Sequence, residues 1–152
     1  MRVLFAAIAT MLLAAQPALA DDKSDAEAFM WAYLERWNAH DAGAITTRYY
    51  RLDGNHPWST EAGMRAEFDR LKGLGYDKSD IQSVIGCVLS RDRAQVELRF
   101  VRLTTDGGFM PPKDRVSLYH LRKFEDGWRV TGMNALRDGQ KMECSTPAGA
   151  AQ

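Results

Sequence analysis

The stretch from Ser24 to Tyr50 limits what this chain can fold into. Ala26, Phe29, Met30, Tyr33, Leu34 and Trp37 recur at intervals of three and four, so a helix carrying them lays one broad apolar stripe along its length. Ser24-Asp25-Ala26-Glu27 reads as a capping box and predicts that this helix begins there. Glu35 and Arg36 fall on its outer side, and Asn38-Ala39-His40 closes it, with His40 expected in solvent. Asp41 has the right chemistry to cap a second, shorter helix over roughly Ala42 to Tyr50, which offers Ala44, Ile45, Tyr49 and marginally Tyr50 inward. A stripe this wide has to be buried, and the rest of the chain must supply the surface that buries it.

Arg51 to Trp58 contains Asp53-Gly54 and a proline after His56, a turn-rich connection. Ser59 or Thr60 then caps a third helix to about Lys72, with Ala62, Met64, Phe68 and Leu71 as its buried side and Gly73 and Gly75 as its stop. From Tyr76 the apolar period changes to two. Ile81, Ser83, Ile85, Cys87 and Leu89 share one face of a strand, and Ala94, Val96, Leu98 and Phe100 alternate with Gln95, Glu97 and Arg99 in the next. The pattern then slips to Val101 and Leu103, which predicts a bulge there. Arg115 to Phe124 and Trp128 to Leu136 form a last hairpin about Glu125-Asp126-Gly127. Helices followed by an antiparallel meander make an α+β chain, with a curved sheet wrapped as a cone around the N-terminal helices. The Arg115 strand is apolar on both faces, Val116, Leu118, His120 and Phe124 on one and Tyr119 and Leu121 on the other. One face is expected to meet the first helix and the other a second copy, giving a homodimer.

Met1-Arg2, the apolar run Val3 to Leu13 and the small residues Ala18-Leu19-Ala20 have the form of a secretory signal peptide over residues 1–20. One domain is then expected over 21–139, followed by a polar tail over 140–152, and the address is periplasmic or secreted, with no membrane attachment after cleavage. Without Arg2 the net charge is near minus one with signs interspersed, which argues against a nucleic-acid partner. Cys87 and Cys144 both survive cleavage, and in an oxidising compartment the pair favours a disulfide tying the tail to a strand, with two unpaired thiols as the alternative. Neither cysteine has a second ligand at zinc spacing and the three histidines share no metal-site spacing, so no metal is expected. Phosphate loops, dinucleotide motifs and nucleophile elbows do not occur, and no cofactor is expected.

Trp37-Asn38-Ala39-His40-Asp41, the short helix to Tyr49-Tyr50 and the closing hairpin His120-Leu121-Arg122-Lys123-Phe124-Glu125-Asp126-Gly127-Trp128-Arg129-Val130 together resemble the nuclear transport factor two superfamily, in its SnoaL-like and ketosteroid-isomerase-like branches. The resemblance implies a cystatin-like α+β roll with an interior pocket. In the isomerases a tyrosine eight residues before the inter-helix aspartate donates to the substrate oxyanion, and Tyr33 has that spacing from Asp41. The isomerase base, an aspartate before a proline, is replaced by His56 before Pro57, with Asp53 the nearest carboxylate. Tyr119 beside His120 stands near the second oxyanion donor. Tyr33, His56, His120 and Asp53 are therefore the candidates for proton chemistry, and Tyr49, Trp58, Tyr119 and Asn134 those for ligand contact. Each also has a plainer role, a core phenol for Tyr33 and an exposed loop side chain for His56. Because two of the three isomerase positions differ, the favoured reading is a binding or accessory module for a small hydrophobic ligand. A cofactor-free isomerase, dehydratase or hydrolase is the alternative.

Overall fold

The computed structural model describes residues 16–136 and 142–145, with side chains over 22–136 and 142–144. The apolar run of the expected leader and residues 140–141 and 146–152 of the expected tail lie outside the described residues. Helix α1 (Gln16–Asn38) starts eight residues before Ser24. Pro17 sits in its first turn, where no intrahelical N–H is required, and Ala18-Leu19-Ala20 are sound helix formers, so the predicted capping box becomes helix interior. The Glu27 carboxylate is used elsewhere: it accepts the backbone N–H of Gly86 on the sheet at 2.7 Å. The inward stripe forms as expected, with Ala26, Met30, Tyr33, Leu34 and Trp37 all buried.

The end of α1 closes by paired bonds, His40 N to Trp37 O and Asp41 N to Arg36 O, both 3.0 Å, with His40 in the left-handed region at φ 53°. His40 is not in solvent. The reversal brings later elements over it, and its ring lies 5.0 Å from Phe68 and 5.7 Å from Tyr76. Asp41 caps α2 (Ala42–Ala44), accepting from Ala44 N at 3.0 Å. The chain then widens into a π-helical turn, Ile45–Tyr49, and leaves it extended at Tyr50, which bridges Val130. Helix α3 (Glu61–Gly73) is capped by Thr60 and buries Met64, Phe68 and Leu71, while Ala62 is exposed. Ahead of it stands a 3-10 turn, Pro57–Ser59. Gly63 is the close approach between the two, since a Cβ there would lie 1.7 Å from the Pro57 carbonyl oxygen.

Strands β1 (Tyr76–Ser90), β2 (Arg93–Thr104), β3 (Arg115–Phe124) and β4 (Gly127–Ala135) form one antiparallel sheet in that order, curled but not closed. The bulge predicted in β2 is absent from it. The register shifts lie opposite, in β1, where Asp77, Gln82 and Leu89 are each skipped. An extra residue flips the face of everything beyond it. Ile81 and Val84 therefore pack into the helix-side core while Cys87 and Leu89 join a cluster on the outer face, so the predicted single face from Ile81 to Leu89 is divided. Strand β2 keeps its alternation without a break, and Ala94, Val96, Leu98, Phe100 and then Arg102 all follow the inward parity.

The outer face is covered in part by the chain itself. Met142 packs on Cys87 and Leu118, Cys87 and Cys144 are joined with their Cα atoms 5.9 Å apart, and Glu143 exchanges two hydrogen bonds with the buried Gln95 at 2.8 and 2.9 Å. Leu118, on one of the two apolar faces that the sequence gives this strand, is thus under the chain's own C-terminal segment.

Candidate functional site

A cavity of about 240 Å³ lies between the C-terminal half of α1, the 3-10 turn and the far ends of β2, β3 and β4. Leu34, Trp37, Trp58, Leu98, Phe100 and Met133 make its apolar walls. The helical stripe supplies the first two, and Trp58 arrives on the turn seated against Gly63, its ring 6.1 Å from that of Trp37. The inward parity of β2 supplies Leu98 and Phe100. Polar groups come from Ser79, Arg102, Ser117, Tyr119 and Asn134.

Trp37 is held in place by a network at the end of α1. Its indole N–H donates to Tyr76 Oη at 2.9 Å, Tyr76 Oη meets Ser79 Oγ at 2.9 Å, and Asn38 brackets the Ser79 backbone through both its amide atoms, at 2.9 Å each. These bonds are buried or nearly so, where each is worth more than at the surface.

Of the residues singled out from the sequence, Trp58, Tyr119 and Asn134 line this cavity, the last at its exposed rim. Tyr33 lies one layer deeper. Its hydroxyl is 2.7 Å from that of Tyr50, and its ring is 5.7 Å from Tyr119, edge on. Tyr49 packs on Phe29 and Tyr33, away from the lining. His56 stands behind Trp58, its Nδ1 accepting the Trp58 backbone N–H at 3.1 Å. Asp53 is an exposed turn residue that accepts from Asn55 N at 2.8 Å. His120 alternates with Tyr119 on β3, so it shares the outer side with Leu118 and bonds to Asn134 Oδ1 at 3.1 Å. The structure thus brings Tyr33 and Tyr119 together and places His56, Asp53 and His120 apart from them.

Tyr50, beside the site, and Arg102, in its wall, are among the residues that the sequence does not single out. Tyr50 completes a cluster of three phenols with Tyr33 and Tyr119; the sequence offers it inward only marginally, and the π turn with its extended exit at Tyr50 delivers it there. Arg102 was missed because the apolar pattern was read as slipping to Val101. Continuing the alternation from Ala94 through Phe100 by one more step finds it.

The three phenols are held as proton donors. Burial pushes Tyr33 and Tyr50 well above the ordinary value of 10.0; Tyr119 and Tyr50 add to the effect at Tyr33, whereas at Tyr50 the Tyr119 phenol adds to it and the hydrogen bond with Tyr33 opposes it. Burial also raises Tyr119, against the opposing pull of Tyr33 and of the Arg102 charge. A folded-state value above the unfolded one means the neutral phenols' contribution is intact below pH 10.0 and lost as pH rises past it. The melting temperature is therefore expected to fall steeply on the alkaline side of that point, and less steeply in Tyr33→Phe. A Tyr33→Phe profile parallel to that of the unaltered protein would contradict this.

With this arrangement in view, residues 21–138 match the family model of NTF2-like proteins designated DUF6841. The chain belongs to this NTF2-like family. Among solved structures, an NTF2-like protein with a cystatin-like fold from Novosphingobium aromaticivorans is 19% identical, with a TM-score of 0.58 over 80% of this chain and 86% of that one. The β subunit of a candidate aromatic-ring-hydroxylating dioxygenase from the same organism is 11% identical, with a TM-score of 0.54 over 82% and 94%. A ketosteroid isomerase-like protein from Erwinia carotovora atroseptica is 19% identical, with a TM-score of 0.50 over 77% and 98%. No curated protein matches the sequence. At these identities the likeness is one of fold: this NTF2-like chain has the α+β, cystatin-like architecture expected of it, and its chemistry has to be read from its own cavity.

Proposed function

We propose that this NTF2-like protein is an exported binding or accessory module whose cavity holds a small hydrophobic ligand. The observation that carries the reading is the composition of the cavity wall: two tryptophans, a phenylalanine, two leucine side chains and a methionine, with hydroxyls, an amide and the Arg102 guanidinium between them and, among the described residues, no histidine or carboxylate side chain. Apolar walls with a few placed polar groups are what small-molecule sites are made of. A general base has to come within hydrogen-bond reach of the proton it takes, and the candidates for that work point elsewhere. Support for export comes from the leader-like start of the sequence and from the disulfide, which persists in oxidising compartments.

The test uses 2-naphthol as a neutral aromatic probe in isothermal titration calorimetry. One molecule is expected to bind per chain without being converted, and binding is expected to disappear in Ala135→Trp, which plugs the exposed mouth from the end of β4 while leaving the core untouched. Unchanged affinity in Ala135→Trp would place binding somewhere other than this cavity, and conversion of the probe would favour the enzymatic alternative.

A further inference from the structure

Among the described residues the cavity has one charged side chain in its wall, and no carboxylate pairs with it. Arg102 follows the inward parity of β2, opposite Ser79 on β1, and its guanidinium carbon lies 5.7 Å from the Tyr76 ring centroid and 5.9 Å from that of Phe100. Seven ion pairs join other basic side chains to carboxylates among the described residues, and none of them includes Arg102. Its Nε is buried without a hydrogen-bond partner. An arginine that packs on rings, reaches an apolar cavity and finds no anion among the described residues is an uncompensated donor. Leaving such a group unpaired is costly unless something else completes it.

Resting on the reading of the cavity as a ligand site, we infer that the occupant is a small monocarboxylic acid bound as its anion, with the carboxylate on Arg102 and the hydrocarbon body between Trp37, Trp58 and Leu98. The planar guanidinium fork matches a carboxylate in two parallel hydrogen bonds. Ser79, Ser117 and Tyr119 stand in the same wall as neutral donors for the remaining lone pairs. The nearby Arg115 is occupied, its Nη2 bonded to the carbonyls of Met110 and Pro111 at 3.5 and 2.5 Å. Arg115 is not in the lining, so Arg102 is the one cation among the described lining residues, which suits a monoanion better than a phosphate dianion. A charge pair flanked by these apolar walls is screened less than one on the open surface.

The experiment compares 2-naphthoate with 2-naphthamide, equal in shape and different in charge, by calorimetry on the intact protein. The acid is expected to bind at least about tenfold more tightly than the amide, a ratio that one charge-assisted pair supplies. Arg102→Met is expected to bring the two to equal affinity, and Arg102→Lys, which keeps the charge without the fork, to retain part of the preference. Equal affinities in the unaltered protein, a measurement that needs no variant to fold, would overturn the assignment while leaving the neutral-ligand pocket standing. A preference that survives in a folded Arg102→Met would overturn it too, by moving the charge recognition elsewhere. If acid, amide and 2-naphthol all fail to bind, the pocket reading falls with it.

Discussion

Alanine in place of Trp37 is expected to lower the unfolding free energy by about 3 to 5 kcal/mol, the range for removing a buried tryptophan. The Trp37 side chain reaches three elements besides its own helix. The indole packs against Phe68 of α3 at 5.1 Å, Trp58 of the 3-10 turn at 6.1 Å and Tyr33 of its own helix at 6.2 Å, and it bonds to Tyr76 at the start of β1. Its loss enlarges a space that is already hollow, and the walls, anchored on different elements, have little freedom to close on it. Trp37→Phe separates packing from hydrogen bonding. It keeps most ring contacts and leaves Tyr76 bonded to Ser79, so a cost near 1 kcal/mol is expected. Urea unfolding of the two variants measures both. Equal losses would mean that the N–H bond, and not the ring, secures the junction.

Removing the disulfide is the other large effect. The bridge spans 57 residues, and the chain-entropy model gives about 4 kcal/mol for a loop of that order. Cys87→Ser with Cys144→Ser is expected to approach that loss, because the bridge acts in the native state through a docked segment as well as on the unfolded chain. Met142 is buried against Leu118, and the Gln95 side chain, itself buried, depends on Glu143 for both of its bonds. Freed of the bridge, the segment can lift away and leave an amide unpaired in the sheet. The same experiment bears on export. If residues 1–20 act as the proposed leader, protein produced with them in an exporting cell is expected to have an intact mass that begins at Asp21 and includes the bridge, whereas a cytoplasmic form lacking them is expected to be reduced and to melt at lower temperature. A double variant as stable as the unaltered protein would show the C-terminal segment to be held by packing alone.

The stripe on α1 was readable because a helical period of three to four leaves a long record: six apolar side chains from Ala26 to Trp37 all had to agree, and five of them are buried, with Phe29 half-buried beside them. The Asp41 and Thr60 caps were readable because a cap is a local bond between a side chain and a backbone three residues on. The strands and their order followed from the period of two and the short turns. The start of α1 was misplaced because Ser24-Asp25-Ala26-Glu27 has the chemistry of a cap whether or not the helix has already begun.

What the sequence determined by itself is therefore the set of elements, the α+β layout and the family, since each rests on bonds and periodicities between near neighbours. Which side chains meet in the cavity was decided only in three dimensions. A skipped residue at Gln82 sets the faces of β1, a π turn brings in Tyr50, and a β2 that runs without a bulge carries Arg102 to the wall while the alternation of β3 takes His120 to the other side. A shift of one residue exchanges the two faces of a strand, and the pairing that fixes such a shift lies on another strand, out of reach of any local pattern.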